Sequence, residues 1–206
     1  MKLYYAPGAC SLASHIVLKE IGKTFSIEKV DLKNKTTETG ENYAVINPKG
    51  YIPAIRLDDG ELLTEGTAIL QYLADQTPES KLAPANGTMP RVRLQETLNF
   101  ITSELHKSFA PLFSQDENLE PAREAAREKL TNRFGLIEAD LSDGREFITG
   151  DNFTIADAYL FTVASWGAHV GFNLEAFPGL EALIARISTR PAVQAALQAE
   201  GLLKAA

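Results

Sequence analysis

The pattern of secondary structure changes once along this chain, from alternating strands and helices to helices alone. Within about the first 80 residues, Lys2–Tyr5 has the pattern of a strand, Ser11–Ile21 of a helix and Phe25–Asp31 of a second strand. Beyond Pro90 every apolar pattern has helical spacing. This change predicts an α/β domain followed by an all-helical domain.

The α/β domain continues with two short strands and a helix. Ala54–Leu57 and Glu61–Leu63 flank an Asp-Asp-Gly turn, which predicts a hairpin, and a helix follows over Gly66–Ala74. The order βαβ and then ββα predicts a mixed four-stranded sheet.

The second domain is predicted to contain a long helix over Met89–Phe113, a charged helix over Pro121–Leu141 and a buried helix after Phe153, followed by two short helices. Thr154 and Asp157 have the spacing of a capping box at the buried helix, so Asp157 is assigned a structural role. Pro, Gly, Asn and Ala predominate before the long helix, which is typical of a linker. We therefore place the domains at residues 1–80 and 89–206, joined by residues 81–88.

The composition narrows the class of partner. The net charge is -7, whereas a nucleic-acid-binding face is normally basic, so no nucleic-acid partner is expected. No apolar run approaches the roughly 18 residues of a membrane span, and the chain enters a strand pattern without a leader pattern. We therefore expect a soluble protein without a membrane partner. Because one cysteine cannot form an internal disulfide, we expect this protein in the reducing cytoplasm.

Cys10, the only cysteine, lies where the first strand passes through a Pro-Gly loop into the first helix. Unpaired N–H groups and partial positive charge at a helix N-terminus favour thiolate over thiol. The alternative is an inert thiol, because lone cysteines are often packed as small hydrophobes. The position of Cys10 alone leaves both interpretations open.

Two further features of the first domain have the chemistry of a peptide-binding site. A cis bond between Ile52 and Pro53 would leave the backbone of Ile52 able to pair with an extended ligand, whereas a trans proline would only start a strand. At the next helix start, the N–H groups of Gly66 and Thr67 can hold a carboxylate, and Glu65 can pair with an ammonium group. Together these groups match the zwitterionic end of an amino acid, although Glu65 alone also suits a helix start.

In the long helix, Asn99, Ser103 and His106 have the spacing i, i+4 and i+7, which predicts one polar face beside the apolar stripe. If this face meets Cys10, His106 supplies a cation or a hydrogen-bond donor beside a thiolate. Otherwise His106 is a packed, hydrogen-bonded histidine.

Other reaction classes fit the sequence poorly. One cysteine and three scattered histidines have no zinc-binding spacing, and no Gly-rich phosphate loop is present, so no metal is expected. Ala13 stands where a C-x-x-C motif would have its second cysteine, which excludes a dithiol cycle within the chain. His15 and His169 lack comparable neighbours in the sequence and are assigned structural roles.

Five motifs follow one another along nearly the whole chain. They are Lys2–Ser11, Asn47–Pro53, Leu63–Gly66, Asn99–Lys107 and Phe153–Phe161. In sequence and order they resemble the bacterial beta class of cytosolic glutathione S-transferases. This resemblance implies a thioredoxin-like first domain, a helical second domain and a homodimer. It also implies that glutathione is a co-substrate, with no other cofactor, and that the second substrate, a small hydrophobic electrophile or a disulfide, binds between the domains.

The resemblance also implies roles for individual residues. Cys10 and His106 become the candidate catalytic residues, with Cys10 facing the glutathione sulfur and able to form a mixed disulfide with it. Ile52 would pair its backbone with the cysteinyl part of the tripeptide. Many relatives carry serine at the position of Gly66, so here one side-chain contact to the γ-glutamyl carboxylate is lost unless Thr67 replaces it. The implied glutathione-binding residues are Cys10, Lys35, Ile52, Pro53, Glu65, Gly66, Thr67, Asn99, Ser103, Glu104, Leu105 and His106.

We therefore expect a glutathione S-transferase that directs the glutathione thiolate at electrophiles or into thiol–disulfide exchange, with thiol transferase or peroxidase side activity. The sequence leaves conjugation and exchange unranked. The alternative is a non-catalytic ligand-binding or partner-binding protein on the same fold. A non-catalytic protein of this kind would be expected to lack Cys10, Glu65 or His106, and this sequence has all three.

Overall fold

The computed structural model describes residues 1–203, apart from the side chain of Glu117. Its internal contacts divide the chain into two units. The N-terminal unit contains Met1–Lys81 and the last segment of the chain, from Thr189, whereas the helical unit contains Leu82–Ser188. The predicted helical domain ran from residue 89 to the end of the chain, but the contacts assign the last segment to the N-terminal unit.

The N-terminal unit contains a mixed five-stranded sheet with the strand order β3-β2-β1-β4-β5. The strands are β1 (Lys2–Tyr5), β2 (Ser26–Asp31), β3 (Thr36–Thr37), β4 (Ala54–Arg56) and β5 (Leu62–Thr64). β1 and β2 are parallel, and the other neighbouring pairs are antiparallel. The predicted mixed sheet is confirmed, but it has one strand more than the four predicted. β3 is only two residues long and lies in a polar stretch, so it is too short to show a strand pattern.

The helices complete both units and confirm the predicted α/β and all-helical division. In chain order they are α1 (Ser11–Glu20), α2 (Tyr43–Ile46), α3 (Gly66–Asp75), α4 (Met89–Phe100), α5 (Ala110–Phe113), α6 (Glu120–Leu141), α7 (Ile155–Ser165), α8 (Gly167–Val170), α9 (Pro178–Ser188) and α10 (Pro191–Ala199). α1 packs against both α3 and α10, and its first eight residues are therefore buried. Within residues 1–203, no helix combines the length and the apolar character needed to cross a membrane.

One buried carboxylate joins the end of α10 to α1 and to the loop before α1. Glu200 is only 6% exposed, and its Oε1 lies 2.9 Å from Nδ1 of His15. Its Oε2 accepts a hydrogen bond of 2.9 Å from the backbone N–H of Gly8. These partners offset the loss of hydration that a buried carboxylate suffers. His15, which has no obvious neighbour in the sequence, therefore obtains its partner from 185 residues further along the chain.

The helical unit surrounds α7, in which every residue from Ile155 to Ala164 is buried. At its start, one oxygen of Asp157 accepts hydrogen bonds of 2.8 Å from both the backbone N–H and the hydroxyl of Thr154. The other oxygen accepts a bond of 2.8 Å from the N–H of Ile148. Burial raises the pKa of Asp157 to about 6, although these three hydrogen bonds oppose the rise.

The predicted long helix over Met89–Phe113 is interrupted in its middle. After α4 the chain forms a π-helical turn over Ile101–Leu105, in which the N–H of His106 donates to the carbonyl of Ile101. A 3₁₀ turn over His106–Phe109 then leads into α5. Single π-helical turns inside helices occur frequently at functional sites. The interruption lies where the sequence analysis places the polar face.

Candidate functional site

The N-terminal unit carries Cys10 in the turn between β1 and α1. Cys10 immediately precedes the first residue of α1 and is partly buried. Its thiol donates a hydrogen bond to the backbone carbonyl of Ile52, with an Sγ to O distance of 3.3 Å. Two residues that lie 42 positions apart, and that the sequence analysis selected for different reasons, are therefore in contact.

The Asn47–Pro53 loop presents the backbone of Ile52 beside this thiol. Its Ile52–Pro53 peptide bond is cis, as one of the two sequence interpretations required. Lys35, an implied glutathione-binding residue, donates from Nζ to the carbonyl of Gly50 at 2.9 Å. Lys35 therefore reaches the same loop, although it follows β2 in the chain.

The start of α3 lies next to the cis proline. Glu65 immediately precedes α3 with a φ of +69°, a left-handed conformation that is uncommon for a residue other than glycine. Its carboxylate is exposed, and Oε1 bonds to Nζ of Lys49 at 2.7 Å. Gly66 and Thr67 begin the helix, so their N–H groups have no acceptor within it. A β-carbon added at Gly66 would contact the Pro53 ring at 3.6 Å, which is an ordinary van der Waals distance.

In the helical unit, His106 is packed among aromatic side chains. Its Nδ1 lies 2.6 Å from the hydroxyl of Tyr159, and its ring meets the Trp166 ring edge-on at 4.8 Å between centroids. Burial, with a smaller contribution from Lys107, lowers the pKa of His106 to about 4. A pKa of about 4 favours a neutral His106 at pH 7. A neutral ring fits both the predicted hydrogen-bond donor and the alternative of a packed, hydrogen-bonded histidine.

The other implied glutathione-binding residues of this segment differ in which of their groups are exposed. Ser103 and Asn99 are exposed and adjacent, and the Ser103 hydroxyl donates to the Asn99 carbonyl at 2.9 Å. Glu104 pairs instead with Arg133 of α6, from Oε2 to Nε at 2.8 Å. The side chain of Leu105 is fully buried, so Leu105 can offer a ligand only its backbone.

Several side chains that support these groups have no signal in the sequence. Tyr159 and Trp166 belong to apolar patterns, and spacing alone does not show that they contact His106. The side chains of Tyr43 and Asn47 both bond to the backbone carbonyl of Tyr51, although only Asn47 lies in a recognised motif.

Models of one protein family match both parts of the chain. Residues 8–76 match the N-terminal domain of glutathione S-transferase, and residues 100–191 match its C-terminal domain. The chain is 49% identical to glutathione S-transferase GstA of Escherichia coli over 98% of this chain and 100% of that protein.

Solved structures give the same result. The bacterial beta-class glutathione S-transferase of Sphingomonas chungbukensis has a TM-score of 0.94 and 48% identity, covering 98% of this chain and 100% of that one. A sphingomonad glutathione S-transferase complexed with glutathione has a TM-score of 0.93, with the same identity and coverage. The resemblance stated from five motifs is therefore confirmed, and the chain belongs to the glutathione S-transferase family of transferases, in its bacterial beta class.

Proposed function

We propose that the protein binds glutathione in its N-terminal unit and activates the glutathione thiol for attack on electrophiles and for exchange with disulfides. One observation carries this proposal: the Cys10 thiol bonds to the Ile52 carbonyl at 3.3 Å, and the adjoining cis proline packs against the start of α3. Three features with separate chemistries thus lie next to one another within a single unit.

In this proposal the tripeptide lies extended along these three neighbouring features. The backbone of Ile52 pairs with its cysteinyl part, while Glu65 and the N–H groups of Gly66 and Thr67 bind the γ-glutamyl end. This arrangement brings the glutathione sulfur to Cys10. The sphingomonad relative, which has 48% identity to this chain, was solved in complex with glutathione and supports the choice of ligand. Lys35, Asn99, Ser103, Glu104 and Leu105 complete the set of proposed contacts.

The thiol chemistry needs no cofactor other than glutathione itself. In conjugation, the glutathione thiolate attacks an electrophilic carbon and forms a carbon–sulfur bond. A leaving group departs with the electron pair of the bond that breaks, or, where the carbon belongs to a double bond, that electron pair moves to the neighbouring atom and takes up a proton. In exchange, the Cys10 thiolate attacks a disulfide of glutathione, forms a mixed disulfide and releases the other half as a thiolate. A second glutathione thiolate then attacks the mixed disulfide, regenerates Cys10 and leaves as the oxidised dimer.

His106 acts in this proposal as a neutral hydrogen-bond donor to the sulfur. Because the pKa of His106 is about 4, one ring nitrogen carries the only proton at pH 7. The Tyr159 hydroxyl lies 2.6 Å from Nδ1. We assign the tautomer in which this hydroxyl donates to Nδ1 and the ring proton is on Nε2. Nε2 then supplies the donor that stabilises a thiolate.

The remaining partners are a second substrate and a second copy of the chain. The half-exposed ring of Phe113, 5.5 Å from that of Trp166, supports a small hydrophobic electrophile. Val45 and Tyr51 in the N-terminal unit, and Met89 and Val92 in the helical unit, are exposed apolar side chains that a homodimer would cover. We place the protein in the cytoplasm, where a single cysteine stays reduced.

Retention on immobilised glutathione, followed by mass spectrometry, tests the proposed function. The protein should be retained and then eluted by soluble glutathione. After incubation with oxidised glutathione, the peptide containing Cys10 should carry one glutathionyl group. A protein that is neither retained nor modified is not acting in the proposed way, and the non-catalytic alternative would then replace the enzyme.

Replacing Gly66 by serine is expected to lower the KM for glutathione about threefold to tenfold and to leave kcat nearly unchanged. The backbone has room for the β-carbon, and a hydroxyl at the helix start adds one hydrogen bond to the γ-glutamyl carboxylate, worth about 1 kcal/mol. Gly66→Ala is the matched control, since it adds the same carbon without the hydroxyl. Equal KM values in the two variants would show that the carboxylate does not bind there.

A further inference from the structure

Two buried side chains converge on the backbone carbonyl of Tyr51. The Tyr43 hydroxyl donates to it at 2.8 Å, and Nδ2 of Asn47 donates to it at 2.7 Å. Tyr43 is fully buried and Asn47 is 2% exposed, so water cannot readily replace either bond. Breaking them would leave buried polar groups without partners, and the carbonyl is therefore held in one direction.

The amide N–H of Ile52 belongs to the same peptide group as this carbonyl. The described residues contain one cis peptide bond, between Ile52 and Pro53, so the bond between Tyr51 and Ile52 is trans. A trans peptide group is planar, and its C=O and N–H point in opposite directions. Turning the Tyr51 carbonyl toward Tyr43 and Asn47 thus turns the Ile52 N–H away from them. Among residues 1–203, no backbone acceptor receives this N–H.

Two further contacts hold Ile52 in place. Its side chain packs in a buried cluster that includes Tyr4, Tyr43 and Ala54, and its carbonyl accepts the hydrogen bond from Cys10. Burial raises the pKa of Tyr43, so its hydroxyl stays protonated and remains a donor at neutral pH. The N–H of Ile52 is thus available to a ligand in a fixed orientation.

We propose that Tyr43 and Asn47 are positioning residues for glutathione binding. They aim the Ile52 N–H at the peptide backbone of the bound tripeptide, and they touch neither the ligand nor the reacting sulfur. This inference rests on the proposed pairing of Ile52 with glutathione. Because a donor that is already oriented pays little entropy on binding, loss of the orientation weakens affinity and leaves the chemical step intact.

Tyr43→Phe tests the inference, because it removes the hydroxyl and keeps the ring. We expect the KM for glutathione to rise by about five- to tenfold, the value of one hydrogen bond, with kcat and the KM of the electrophile within about twofold of the parent protein. Tyr4→Phe is the matched control. Its ring packs 5.6 Å from that of Tyr43 in the same cluster, but it makes no bond to the loop, so its KM should not change.

A second variant and a second measurement separate positioning from packing. Asn47→Ala removes the other donor and should raise the same KM. In the parent protein, added glutathione should shift the ¹H–¹⁵N signal of the Ile52 amide, and in Tyr43→Phe this shift should require more glutathione. An unchanged KM in both Tyr43→Phe and Asn47→Ala, or an equal rise in Tyr4→Phe, would overturn the inference. A parent protein that does not bind glutathione would instead overturn the proposed function.

Discussion

Cys10→Ala is expected to lower the rate of glutathione-dependent thiol–disulfide exchange by at least about 100-fold, because the exchange passes through a covalent bond to this sulfur. No other cysteine in the chain can form the mixed disulfide. The measurement is the rate at which the protein and glutathione reduce a small mixed disulfide, compared with the rate for glutathione alone.

Conjugation in the same variant provides the control. The attacking atom in conjugation is the glutathione sulfur, so Cys10→Ala should keep the conjugation rate within about tenfold of the parent protein. Cys10 is only partly buried, and alanine keeps its β-carbon, so the melting temperature should change little. Exchange that continues at more than a tenth of the parent rate would remove Cys10 from the reaction.

Stability should depend on pH through Asp157. Its pKa of about 6 in the folded chain lies above the ordinary value of 3.8, so the folded chain binds this proton more tightly than the unfolded chain does. The resulting stabilisation is fully present below about pH 3.8 and is lost as the pH rises through about 6. The difference between the two pKa values corresponds to about 3 kcal/mol.

Asp157→Asn removes the titration and keeps the size of the side chain. Between pH 4 and pH 7, the free energy of unfolding of the parent protein should fall by about 2 to 3 kcal/mol relative to this variant. Urea unfolding at the two pH values measures the difference. Asp151→Asn, which alters an exposed carboxylate just before α7, should show no such change. A constant difference between the parent protein and Asp157→Asn would mean that the pKa of Asp157 is not raised.

Periodicity was sufficient to predict most elements of this fold. α1 and α3 have helical spacing with clear ends, and the strands around the Asp-Asp-Gly turn have a recognised turn residue between them. The capping box before α7 was also predictable, since both of its members lie within four residues. In each case the interactions that define the element are local in the sequence.

The remaining features depend on contacts between distant residues. The π-helical turn over Ile101–Leu105 has the same apolar spacing as an ordinary helix, so the pattern cannot reveal it. The charge state of His106 depends on burial against Tyr159 and Trp166, which lie more than 50 positions away. Likewise, nothing local indicates that Glu200 pairs with His15.

The place of α10 in the N-terminal unit has a consequence for the order in which the chain folds during its synthesis. Domains usually fold as they leave the ribosome, the N-terminal one first. Here the N-terminal unit stays incomplete until the ribosome has made Glu200, because the contacts of Glu200 with the Gly8 N–H and with the His15 ring can form only then. Leu82–Ser188 is continuous in the chain and can be completed earlier. The turn that carries Cys10 is therefore synthesised early, but its contact with Glu200 forms only near the end of synthesis.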